Sequence, residues 1–458
     1  MTTKEQTRLS TPYYAFIRML FPLVLLLGAC SEKLITSPYV MRGEAGRRTY
    51  ASLDPALQTP EINVVYVTDR GPTPPDKSGP RYGHERSDLT SYGNATVELS
   101  PRPTWDELVE ISTSGQRSRS YTLRVSRVEE RGRFTPITEY MEVKGNRIGG
   151  KIGARDAIDA ENRAFGDVLR ERLVRTDRKE VVIFIHGFNN SFDDAVIRLA
   201  QAWHFSGRRG VPIVYTWPAG FGGLAGYAYD RESGEFTVVH LKLLLRAVAA
   251  CPEVEKMHIV SHSRGTDVAT TALRELNAEF RGMSGKSLFS TLVPESSSPV
   301  VPPDFPTAAE VLKLGTVVLA APDLDVDVFR QRFFGENLVG VADRFVLYFS
   351  KEDEALGLAN WLFSGRSRIG SLHVKDLKPA ALTVFASLPR LEVINCEVSG
   401  FTTHAYVFQH PAALSDLILV LRDGATPGAH NGRPLSSPEI GVWEMDNTYL
   451  RPASKTAR

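Results

Sequence analysis

The chain has 458 residues, 54 basic and 53 acidic side chains, and a formal net charge of +1. Such near-neutrality excludes a protein drawn to nucleic acid by charge alone. Its three cysteines form no CxxC pair, and neither HExxH nor an acidic calcium loop occurs, so the sequence implies no metal site and no cofactor. The length allows up to three domains.

In chain order, Lys4, Arg8 and Arg18 form a basic leader and Met19 to Leu27 is almost wholly apolar, too short for the ~20 residues that span a bilayer. Leu27-Gly28-Ala29-Cys30 follows, and this resembles the lipobox of bacterial lipoproteins. The resemblance implies a signal peptide over 1–29, acylation of Cys30 and a membrane anchor through it. Ser31 after the cysteine implies sorting to the periplasmic face of the outer membrane in double-membraned cells. Loss of residues 1–29 removes three basic and one acidic residue and takes the formal charge to −1. Cys251 and Cys396 then remain, in a compartment that permits a disulfide but with no spacing that requires one. Both are read as small buried apolar residues.

Residues 30–60 are polar and read as a linker. From 61 to about 150 the chain shows β-like runs at Ile62 to Thr68, Ala95 to Leu99, Tyr121 to Val128 and Tyr140 to Val143, with a turn-rich stretch at Gly71 to Gly83. Ala154 to Leu173 has helical spacing.

A regular β/α rhythm begins at Glu180. Val181 to Ile185 is a continuous apolar run, as a parallel strand buried on both faces requires. A helix over Asp193 to Phe205, a strand over Val211 to Trp217 and a Gly-rich excursion over Ala219 to Gly234 follow, then a helix over Val238 to Ala250. Met257 to Val260 reads as a strand and Thr266 to Glu279 as a helix. Arg281 to Pro306 is an insertion without periodicity. Strands resume at Leu314 to Ala320, Phe345 to Phe349 and Leu391 to Asn395, with a last helix over Ala412 to Leu421. Residues 424–458 read as a loose tail. The rhythm predicts one α/β domain over 61–423, with a mostly parallel central sheet, flanking helices and a β-rich extension at 61–150.

Between the strand and helix around residue 263 lies Ser261-His262-Ser263-Arg264-Gly265. A serine on so sharp a turn exposes its hydroxyl, and its flanking residues must be small. Ser261 stands where the G-x-S-x-G pattern has glycine. A serine nucleophile needs a base, an acid to orient it and donors for an oxyanion. In this architecture the acid and then the histidine follow the serine, each beyond a strand's carboxyl end. Asp353 and Asp323 both qualify as the acid. His404 lies on a loop before the last helix and suits the base better than His373 or His410. The backbone N–H groups of Arg264 and of Phe188, in the loop His186-Gly187-Phe188-Asn189-Asn190, are the candidate oxyanion donors. His186, ahead of the nucleophile, reads as a histidine that orders this loop. The Arg264 side chain is left between substrate contact and solvent-facing packing.

Seven stretches lie in order over residues 62–422: Val65-Tyr-Val-Thr-Asp-Arg70, Tyr92-Gly-Asn-Ala-Thr-Val97, Phe184-Ile-His-Gly-Phe-Asn189, Thr216-Trp-Pro218, Ala321-Pro-Asp-Leu-Asp325, Ser350-Lys-Glu-Asp353 and Thr403-His-Ala-Tyr406. With them the sequence resembles a bacterial family of α/β-hydrolases of uncharacterised function. The resemblance implies the α/β-hydrolase fold and a triad of Ser263, Asp353 and His404. This chain departs from the family with Ser261 in place of alanine and Thr403 where glycine is frequent; neither change removes a catalytic atom. The expected activity is hydrolysis of a small-molecule or lipid ester, with acyl transfer or amide cleavage, or a non-catalytic envelope scaffold, as alternatives. Residues 220–234 and 281–310 are candidate lid segments.

Overall fold

The computed structural model describes residues 32–283, 307–351, 353, 368–371, 386–388, 390–398, 404–439 and 441–451. The leader 1–29, Cys30, His373, Thr403 and most of the 281–310 insertion lie outside the described residues. The strands are β1 (Ile62–Asp76), β2 (Gly79–Ser100), β3 (Thr122–Phe134), β4 (Met141–Lys144), β5 (Arg147–Gly150), β6 (Glu180–Ile185), β7 (Val211–Thr216), β8 (Lys256–His262), β9 (Leu314–Ala320), β10 (Arg344–Phe349), β11 (Leu391–Glu397), β12 (Ser436–Glu439) and β13 (Val442–Asp446). The helices are α1 (Glu44–Ala51), α2 (Trp105–Thr113), α3 (Ala154–Leu173), α4 (Phe192–Phe205), α5 (Gly223–Ala250), α6 (Gly265–Met283), α7 (Ala308–Leu312), α8 (Val326–Arg330), α9 (Tyr406–Gln409) and α10 (Pro411–Arg422). Among the described helices, none is long and apolar enough to cross a membrane.

All strands but β4 and β5 form one sheet in the order β12-β13-β11-β10-β9-β8-β6-β7-β1-β2-β3. Neighbours from β1 through to β13 are parallel, while β2, β3 and β12 pair antiparallel at the two ends. This is the mostly parallel sheet, flanked by helices and extended by antiparallel strands from the amino-terminal block, that the sequence predicts.

Alternation within each strand builds two cores. Val181, Ile183 and Ile185 of β6 join Ile213 and Ile259 under helices α3, α5 and α6. Phe184, Val214 and Val260 point the other way, toward α4 and α10. A capping box starts α4: Ser191 Oγ accepts from the Asp194 N–H at 3.1 Å, and Asp194 Oδ2 from the Ser191 N–H at 2.9 Å. The cap satisfies amides that a helix start leaves open, which keeps the β6–α4 loop short.

Three expectations about segments need correction. The stretch 30–60 is no linker where the structure describes it: Leu34 N–H bonds the Tyr121 carbonyl at 2.8 Å, and Met41 and Tyr50 are fully buried. Its polar composition hid this because Tyr50 finds a remote polar partner, His204, at 3.2 Å. The tail beyond 423, where it is described, also belongs to the domain. Strand β13 extends the sheet in parallel with β11, and Arg433, fully buried, is held by both carboxylate oxygens of Asp416 at 2.8 Å. Finally, the Gly-rich 219–234 excursion is mostly the start of α5. Its first turns lack apolar periodicity because they bury polar side chains such as Asp230 and Ser233 instead.

Candidate active site

Ser263 sits between β8 and α6 with φ +53°, a left-handed conformation that costs a non-glycine residue about 1–3 kcal/mol. Neighbouring strands fix it there. Its N–H donates to the Ala320 carbonyl at 2.9 Å, and its carbonyl accepts from Thr266 N–H, Thr266 Oγ1 and Asp323 N–H at 3.1, 2.6 and 3.2 Å. Two glycines are required by close approach. A Cβ on Gly265 would lie 2.3 Å from the His186 carbonyl oxygen, and one on Gly187 would lie 2.6 Å from Ser263 Cβ and 3.2 Å from its Oγ. Ser261 is accommodated because its buried hydroxyl donates to the Val318 carbonyl at 3.0 Å.

Beyond the carboxyl ends of β10 and β11 the structure brings Asp353 and His404 together, with Nδ1 to Oδ2 at 2.6 Å and the carboxylate buried. The His404 backbone is fixed by His262, the residue before Ser263. His262 Nε2 lies 3.0 Å from the His404 carbonyl, and the two ring centroids are 4.8 Å apart. A carbonyl only accepts, so His262 Nε2 carries the hydrogen. Burial, and then the neighbouring His404, hold the His262 pKa well below the ordinary histidine value. His262 is thus a neutral donor.

Asp323, the other acid considered, takes a different role. It accepts from the Tyr227 hydroxyl at 2.8 Å and pairs with Arg368 at 3.3 Å, while its own amide holds the Ser263 carbonyl. His410 caps α10, with Nδ1 accepting from Ala412 N–H at 3.2 Å, and burial lowers its pKa to about 4. It is not part of the site. The Arg264 side chain is neither solvent-facing nor open: it is buried and paired with Asp267 at 2.5 Å, which also takes Arg332 at 2.6 Å.

The loop after β6 is ordered by His186. Its Nδ1 donates to the Gly187 carbonyl at 2.9 Å, and its Nε2 accepts from Trp217 N–H at 3.1 Å and from Arg70 Nη2 at 3.2 Å. The imidazole is stacked on Trp217 at 5.1 Å, and burial followed by the Arg70 charge keeps it neutral. Arg70 reaches further, to Thr216 Oγ1 at 2.7 Å and to the carbonyls of Ala219 and Asn190 at 2.7 and 2.6 Å. Burial draws its pKa down to about 10. Asn189, with φ +55°, donates its N–H to Asp230 at 2.9 Å. Phe188 lies between Gly187 and this turn, its ring 5.4 Å from that of Tyr227.

Residue-by-residue reading missed Asp69 and Arg70, although both stand in a quoted motif. Two adjacent charges closing an apolar strand were the available signal. Asp69 is fully buried against His240 at 2.8 Å and Thr237 at 2.6 Å. The roles of Tyr227 and of His262 left no sequence signal, since each depends on a partner about a hundred or more residues away. Among the described residues no group of three or more His, Cys, Asp and Glu side chains is placed to hold a metal ion. Cys251 and Cys396 are unpaired and buried.

No curated protein and no solved structure matches the chain. Residues 161–421, more than half of the sequence, match the model of a family described as "Alpha/beta hydrolase of unknown function (DUF900)". That span runs from α3 to α10 and contains the elbow serine, both candidate acids and His404. The chain belongs to this family of α/β hydrolases.

Proposed function

We propose that the protein is a serine hydrolase that cleaves carboxylic esters, anchored by an acylated Cys30 at the periplasmic face of the outer membrane. The observation that carries the catalytic part is the 2.6 Å contact between His404 Nδ1 and buried Asp353, on the loop that His262 ties to the strained Ser263 turn. With Nδ1 committed to the carboxylate, Nε2 is the nitrogen that takes the Ser263 proton as Oγ attacks the ester carbonyl. Asp353 holds the tautomer and stabilises the imidazolium. The Phe188 and Arg264 amides receive the oxyanion, one following the glycine that touches Ser263 and the other following Ser263 itself. His404 then protonates the leaving alkoxide, and water releases the acyl group by the same path in reverse.

An ester fits the surroundings. Phe188 and Tyr227 pack together beside the elbow, and Phe221, just before α5, lies 5.4 Å from Tyr229 in its first turns. These rings offer apolar contact to an acyl or alcohol chain. A fluorophosphonate probe tests the reading: it should label the full chain and fail to label Ser263→Ala of equal helical content. Absence of labelling in the folded wild-type chain would make the protein a scaffold. p-Nitrophenyl esters of graded length, run beside phospholipids and amides, then place the substrate.

A further inference from the structure

We propose that the hairpin Met141–Gly150 is a membrane-docking element whose apolar face enters an anionic phospholipid surface. Strands β4 and β5 form a two-stranded sheet of their own, outside the main sheet. Val143 pairs with Ile148 and Met141 with Gly150, so Met141, Val143 and Ile148 share one face. That face is uncovered: Val143 is 74% exposed and Ile148 72%, and Ile152 just beyond is 98% exposed. Large apolar side chains clustered on so small an element mark an interaction surface.

The charges select the partner. Between Met141 and Arg155 the chain has four basic residues, Lys144, Arg147, Lys151 and Arg155, and one acidic residue, Glu142, which pairs with Lys144 at 2.6 Å. Glu139 and Asp156 flank the stretch, and the basic residues remain in excess across it. Lys144 and Arg147 pair across the tip on the face opposite Val143 and Ile148. An apolar face backed by long basic side chains suits a bilayer, with the methyl groups in the acyl boundary and the cations among phosphate headgroups. A second copy of the chain fits less well. A stable protein interface draws on about 20–30 residues a side, and this face offers three apolar ones, with Ile152 just beyond.

The hairpin is also mounted firmly enough to act as a wedge. Glu161 of α3 accepts from Thr135 Oγ1 at 2.6 Å and from the Tyr140 hydroxyl at 2.8 Å, and Lys151 N–H closes on the Tyr140 carbonyl at 2.7 Å. Gly145, with φ +60°, supplies the first turn residue that a tight hairpin connection favours. By topology β3 points the same way as β8, so its end and the hairpin leave the sheet on the carboxyl edge, where Ser263 also lies. The proposal depends on neither the hydrolase reading nor the Cys30 anchor.

The test uses the full chain carrying Cys30→Ala, in which the two remaining cysteines, Cys251 and Cys396, are buried. An environment-sensitive fluorophore then attaches to the folded chain at an introduced cysteine, and the same chain with none introduced gives the background. Ile148→Cys probes the hairpin. Val174→Cys, 71% exposed after α3, is the control. Each is mixed with phosphatidylglycerol or phosphatidylcholine vesicles holding a quencher at shallow acyl depth. Position 148 should be quenched several-fold more than position 174, more strongly by phosphatidylglycerol, and the effect should vanish when Val143→Asp and Ile152→Asp are added. Equal quenching at both positions, or none at 148, overturns the proposal. So does indifference to headgroup charge, or shielding of position 148 without vesicles that grows with protein concentration, which would assign the face to a second copy.

Discussion

Two histidines flank the elbow, and their partners carry opposite charge. His186, on the β6 side, meets the Arg70 guanidinium at 3.2 Å; His404, beyond β11, meets the Asp353 carboxylate at 2.6 Å. Full burial, and then the cation, bar His186 from taking a proton, so it serves as a fixed donor and acceptor that shapes the loop after β6. On the proposed mechanism the Asp353 carboxylate instead orients His404 as the base that takes the Ser263 proton. On that reading one residue type provides a rigid wall on one side of Ser263 and a moving proton on the other. The neighbouring charge decides which.

The sharpest break of this contrast is Asp353→Asn. On the proposed mechanism it should lower kcat on the order of 10⁴-fold with little change in fold, measured on whichever ester the screen identifies. Asp323→Asn, whose partners are Tyr227 and Arg368, should cost far less in rate; the reverse ranking would assign the acid to the other strand. Next is Arg70→Met on the His186 side. It leaves the carbonyls of Ala219 and Asn190 without their donor, so chemical denaturation should show a loss of about 2–5 kcal/mol, at about 1–3 kcal/mol for each unsatisfied group. A loss under about 1 kcal/mol would mean that the loop is ordered without the cation.

Gly187→Ala separates shape from charge. Its new methyl group would press on Ser263 and on the His262 carbonyl, so on the proposed mechanism kcat should fall about 10²–10³-fold, as for loss of an oxyanion donor, with KM less affected. The smallest effect concerns pH. His186, His204 and His262 all have folded pKa values well below the ordinary value, with burial the leading cause in each. Stability from these groups is complete above the unfolded value of about 6.5 and is lost progressively as pH falls below it, because only the unfolded chain then takes up protons. Thermal melting points should therefore decline from pH 7 toward pH 5, and less steeply in His204→Gln if that variant folds.

How much of this was legible in the sequence follows from where each partner lies. The central strands could be read from their own apolar runs, and the elbow from small residues at fixed spacing, since both are local constraints. Helix α3 came out at its observed bounds because its apolar period is unbroken. The described part of 30–60 and the carboxy-terminal strands read as linker and tail in the sequence because their cohesion is polar and distant: Tyr50 with His204, Arg433 with Asp416. Hydropathy has no means of pairing such residues. For the site, chain order supplied the candidates, but only packing separates the two acids, since both follow a strand. The turn-rich stretch at 71–83 is the far end of the long β1–β2 hairpin, whose Gly and Pro residues fall at register shifts rather than in a loop.

Strand β1 has a consequence for how the chain is made. Its inner edge pairs with β7, Val65 against Ile213, a closure over about 150 residues whose entropy must be met before the contact stabilises anything. Until Val211–Thr216 has been synthesised, β1 can hold β2 on one side only and leaves the other edge open. An open edge of that apolar character is the kind of template on which chains aggregate. That edge stays open during synthesis of the chain's first half, before the elbow exists.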